Sequence, residues 1–136
     1  MPFSAALLAA ALTVSPAQVK LISNCVTQIS GIAAPVVLPR VIRVDDWTLT
    51  GEGICCDQRG QYARAGDRAE SYYKWRTRTI ILSLSADNVA LAHELASDSY
   101  RLHHGWIVPT EAQLNEADTW AYTVSRRIGF EDGCRP

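Results

Sequence analysis

Residues 79–100, TIILSLSADNVALAHELASDSY, decide how the chain is read. The extended stretch Tyr72 to Leu84, with TRTIILS at its centre, is rich in β-branched residues and is the strongest strand candidate in the sequence. Ser85 or Asp87 then offers a side-chain oxygen to cap a helix. That helix carries HELAS (93–97), runs to about His103 and meets a glycine stop at Gly105.

The flanks add helices on either side. Ser15-Pro16 reads as an N-cap followed by proline at the first helical position, opening a helix that runs to about Ser30 and stops at Gly31. Val19, Ile22, Val26 and Ile29 recur at helical spacing, so one face of it should lie on a core. Pro35 and Pro39 bracket VVLPRVIRV, which predicts a strand from about Arg40 to Val44, at a sheet edge because of the proline. Residues 45–68 read as loops with a short strand at Gln61 to Arg64. At the other end, Thr110-x-x-Gln113 is a capping box for a last helix reaching Ile128, with Gly129 behind it. Its apolar stripe Leu114, Ala117, Ala121, Val124 and Ile128 alternates three and four residues apart.

The chain has 136 residues, 48% of them apolar and 20% charged, which suits one folded α+β domain with its own core. A net charge of −1 with scattered basic residues gives no support for nucleic-acid binding, and no nucleic-acid partner is expected. The densest basic run, KWRTR (74–78), reads as the solvated face or end of a strand. The apolar run Ala5 to Val14 has the length of a signal-peptide core, with Ser15 and Ala17 placed for cleavage after Ala17, although Met-Pro-Phe-Ser lacks a positive charge. It is too short to span a bilayer. Residues 1–17 are therefore either a leader that directs export to the periplasm or the extracellular space, or an apolar helix that packs on a neighbour. The four cysteines contain no C-x-x-C pair. In an exported protein Cys55 and Cys56, being adjacent, are each expected to pair with Cys25 or Cys134 rather than with each other; the alternative is four reduced thiols.

The order of a TIILS strand, a capped loop, an ALAHELASDSY helix and a second helix LNEADTWAYTVSRRIG resembles the core of small zincin metallopeptidases of the gluzincin branch. GIAAPVVLPRVIRV (31–44) and GQYAR (60–64) sit where such domains place outer elements, so the resemblance spans about residues 18–130, and 18–136 reads as a single domain. It implies a leading helix, a small twisted sheet, the HELAS helix and a packed C-terminal helix. In that group two histidines one helical turn apart hold a zinc ion, and the glutamate after the first polarises the metal-bound water. A glutamate from the next helix is the third ligand, and an aspartate one turn further on orients a ligand histidine.

Carried onto this chain, His93 matches the first ligand, Glu94 the general base and Asp118 the orienting aspartate. Ser97 falls at the second ligand position and Leu114 at the third, so two of three protein ligands are lost. His104 does not replace them: along a helix it lies on the order of 16 Å from His93. Glu116 points to a different helix face from Leu114, and Glu111 complements the start of the last helix. The resemblance thus implies a degenerate, inactive metallopeptidase-like domain with no cofactor, binding a protein or peptide partner by strand addition at the sheet edge. Two other readings stand beside it. One is an active zinc hydrolase with an unusual ligand set of His93, Asp118 and Glu111. The other is a structural component of a larger assembly, in which the His-Glu pair is incidental.

Overall fold

The computed structural model describes residues 12–45, 71–128 and 134. Local sequence signals set most of its elements. Helix α1 spans Pro16–Ser30: the Ser15 hydroxyl accepts a hydrogen bond from the Gln18 amide at 3.1 Å, and Pro16 begins the first turn. Gly31, at φ 77°, closes it by donating its amide to the Thr27 carbonyl, a left-handed conformation that favours glycine. Cleavage after Ala17 would remove this cap and the short strand β1, Leu12–Thr13, before it.

Four strands form the sheet, in the order β1, β2 (Arg40–Val44), β4 (Thr79–Ser83), β3 (Ser71–Lys74). β2 and β4 run parallel with Val41 beside Ile80, while β1 and β3 pair antiparallel on either side. Val41, Ile80 and Leu82 face the helices and join their core, and Val44 and Ile81 on the opposite face are buried as well. Burial on both faces explains why TIILS has no polar alternation before Ser83.

Helix α2, Asn88–His103, starts at Asp87, whose carboxylate accepts from the Ala90 amide at 3.0 Å; of the two expected caps, Asp87 is the one used. Helix α3, Glu111–Ile128, begins with the capping box complete: the Thr110 hydroxyl accepts from the Gln113 amide at 3.1 Å, and the Gln113 side chain accepts from the Thr110 amide at 2.9 Å. Leu91, Leu95, Ala121, Val124 and Ile128 fill the space between these two helices, with Ile22 and Val26 of α1 closing the core. The mixed α+β class read from the sequence is thus the one observed. No helix among the described residues is long and apolar enough to cross a membrane.

Three expectations are corrected. Tyr72 to Leu84 is not one strand but a hairpin, in which Trp75 to Arg78 form the turn between β3 and β4. The basic run KWRTR ends β3 with Lys74 and forms that turn with its other four residues, and Arg78 takes a positive φ of 49° within it. β2 is an inner strand rather than an edge, because Pro39 stands just before the ladder and withholds no hydrogen bond from it. Cys25 is joined to Cys134, with Cα atoms 6.2 Å apart, so neither remains for Cys55 or Cys56. Cys55, Cys56, residues 1–11 and the strand expected at Gln61 to Arg64 lie outside the described residues.

The Cys25–Cys134 bond ties α1 to the residues that follow α3 across a separation of 109 residues. Peptide mapping without reduction should recover Cys25 linked to Cys134, and Cys25→Ser should lower unfolding stability by about 2–4 kcal/mol. A mapped bond from Cys25 to Cys55 or Cys56 would contradict this connectivity.

Candidate functional site

Successive residues of α2 point about 100° apart, so neighbours in HELAS serve different walls of the molecule. His93 faces α3, where its Nε2 lies 2.7 Å from Asp118 Oδ1. The Tyr122 ring, one turn beyond Asp118, stands edge-on to the imidazole with centroids 6.5 Å apart. Glu94 faces the sheet, where it is buried and accepts a hydrogen bond from the Ser71 hydroxyl of β3 at 3.0 Å. Ser97, a turn after His93, is also buried.

This environment perturbs both ionisable groups of the pair. Burial drives the Glu94 carboxyl above its ordinary value, against the opposing influence of the His93 charge and the Ser71 hydrogen bond. For His93, burial alone favours the neutral ring. The hydrogen bond to Asp118 and the negative charges of Glu94 and Asp118 outweigh it, and its pKa is raised above 6.5. The result is an acid–base pair with one carboxyl buried and one imidazole braced by a half-exposed carboxylate.

Along the sheet-facing line of α2 the same pattern continues with larger groups. Asp98, fully buried, accepts from Arg78 Nε at 3.0 Å and from Arg78 Nη2 at 2.8 Å in a two-pronged pair. The Tyr73 hydroxyl of β3 donates to the same carboxylate and accepts from Arg101 Nη2 at 3.0 Å. Burial, followed by the Asp98 charge, pushes the Tyr73 phenol far above its ordinary value. Arg101, also buried, donates through Nη1 to the Trp106 and Ile107 carbonyls, while its Nε has no hydrogen-bond partner among the described residues.

A zinc site needs donors that converge. His93 and Asp118 do come together, but at hydrogen-bonding separation. Two donors each about 2.0–2.2 Å from a tetrahedral ion would lie about 3.4 Å apart. Ser97 and Leu114 occupy the positions where the resemblance puts the remaining ligands. Glu111 is exposed in the first turn of α3, two turns before Asp118, which is about 10 Å along the helix. Glu116 accepts a hydrogen bond from the Tyr100 hydroxyl at 2.7 Å, and His104 Nδ1 lies 2.8 Å from the Tyr100 carbonyl. Among the described residues no three His, Cys, Asp or Glu side chains are grouped to hold a metal ion. The described donor set does not fit zinc.

Sequence reasoning missed Ser71, Tyr73, Arg78, Asp98 and Arg101. A signal was present for two of them: Asp98 and Arg101 are opposite charges three residues apart, which puts them on one side of the helix that carries HELAS. No family model, curated protein or solved structure matches the chain.

The raised His93 pKa has a definite pH consequence. Its stabilising contribution is complete below the unfolded value near 6.5 and is lost as pH rises through the higher folded value. Asp118→Asn removes a charge and a strong acceptor, so NMR titration of the imidazole should show a lower His93 pKa than in the parent. An unchanged titration would show that Asp118 does not brace the ring.

Proposed function

We propose that this chain is an exported zincin-like domain that has lost its metal centre and binds an extended polypeptide segment beside the HELAS helix. The observation that carries the reading is the 2.7 Å contact between His93 Nε2 and Asp118. The nitrogen that reaches furthest from α2 is engaged by a carboxylate, and the positions of the other two ligands hold Ser97 and Leu114. The Glu94 carboxyl is turned to Ser71, in the role of a buried hydrogen-bond acceptor.

The peptide-binding half of the reading rests on β3. With β1 it is one of the two outer strands of the described sheet, lying next to β4, and its Ser71 and Tyr73 hydroxyls are bonded to α2. An edge so anchored offers its remaining backbone groups in fixed register to an added strand. The disulfide fits an oxidising compartment, which supports export.

Elemental mass spectrometry of native protein should find no stoichiometric zinc, and Glu94→Gln should leave peptide hydrolysis at the same background level as the parent. One zinc per chain together with hydrolysis abolished by Glu94→Gln would overturn the reading. A bound extended peptide should also slow amide hydrogen exchange along residues 71–74.

A further inference from the structure

The end of the sheet away from the start of α2 gathers three connections. The segment 31–39 leads into β2 there, the hairpin turn 75–78 joins β3 to β4, and residues 104–110 link α2 to α3. Two apolar pairs project from this pole. Val36 and Val37 are 102% and 70% exposed, and Ile107 and Val108 are 68% and 76% exposed.

These tips are held in place from within. Arg78 Nη2 donates to the Val37 carbonyl at 2.7 Å, and Arg101 Nη1 donates to the Ile107 carbonyl at 3.3 Å. Both guanidinium groups meet at the Asp98 carboxylate, at 2.8 Å and 4.0 Å. One buried carboxylate therefore anchors two arginines that each fix an exposed apolar tip, so little ordering is left for a binding event to impose.

The remaining chemistry of the pole sets the kind of partner. Trp75 and Trp106 lie half-buried beside the tips, and Arg76 stacks over the Trp75 ring at 4.9 Å. Arg40 and Arg76 are exposed there, with Lys74 at the end of β3. Among the described residues near the pole the exposed carboxylates are Glu111 and Glu116, the latter held by the Tyr100 hydroxyl. Aliphatic tips, tryptophans behind them and an arginine-weighted rim are the arrangement that matches the layers of an anionic bilayer surface: acyl chains, interface and headgroup phosphates.

We propose that this pole docks peripherally on an anionic lipid surface, with Val36, Val37, Ile107 and Val108 entering the acyl boundary and Arg40 and Arg76 meeting lipid phosphates. A bilayer accepts separate projecting tips without shape complementarity, whereas a protein partner needs a continuous matched face. The proposal is independent of whether the HELAS site holds a metal.

Co-sedimentation of the full chain with vesicles tests it. Vesicles of phosphatidylcholine and phosphatidylglycerol in equal parts should retain the protein, and phosphatidylcholine alone should retain less. The double variant Val36→Asp/Ile107→Asp, altered only at exposed tips, should bind the mixed vesicles at least about tenfold more weakly. Arg40→Gln/Arg76→Gln should lose the preference for phosphatidylglycerol and flatten the salt dependence. Leu84→Asp, an exposed apolar residue at the opposite end of β4, should bind as the parent does. Circular dichroism verifies that each variant is folded. Failure of the parent to bind mixed vesicles, or an equal loss in Leu84→Asp, would overturn the proposal. So would a tip variant that loses only concentration-dependent self-association, which would assign the pole to a second copy of the chain.

Discussion

The carboxylate of Asp98 is buried completely, and the groups around it are arranged to satisfy it. Removing a carboxylate from water is costly unless strong donors replace the lost hydration. Here Arg78 supplies two hydrogen bonds from the hairpin turn, Tyr73 supplies one from β3, and Arg101 stands 4.0 Å away on the next turn of α2. The hairpin is therefore fixed to α2 by charge as well as by packing. The same contacts hold Arg78 at its positive φ and seat the segments before β2 and after α2 through their carbonyls.

That constraint sets the orientation of the rest of α2. With Asp98 pinned beneath Tyr73, Glu94 one turn earlier comes beneath Ser71, because β3 runs antiparallel to β4. His93 is then turned toward α3 and meets Asp118. The HELAS helix thus has polar contacts on two sides: a buried one that joins it to the sheet, and a half-exposed one that joins it to α3. The second contact engages the His93 imidazole on α3, while the buried line below it is built for rigidity.

Much of this fold was legible because its signals are local. Ser15-Pro16 with Gly31, and Thr110 with Gln113, act over one helical turn, and the structure uses each of them as read. The features that were missed depend on residues far apart in sequence. KWRTR reads as the continuation of a strand until Arg78 finds Asp98, twenty residues on, and the turn forms around that pair. Cys25 and Cys134 are separated by nearly the whole domain, and spacing alone does not select that pairing. At the site, His93 and Asp118 were named from a motif and do meet. Ser71 and Tyr73 were invisible, because a serine or tyrosine in a strand reveals nothing about which helix lies over it.

The central claim is that the buried Asp98 cluster holds the hairpin, the HELAS helix and the adjoining loops as one unit. Equilibrium unfolding of Asp98→Ala, followed with amide hydrogen exchange, tests it most directly. Loss of the carboxylate leaves Arg78, Arg101 and Tyr73 without their shared acceptor, so stability should fall by about 3–5 kcal/mol. Exchange should accelerate first in residues 71–83 and 104–110. A loss below about 1 kcal/mol, the range of an exposed ion pair, with protection unchanged in both segments, would contradict the account.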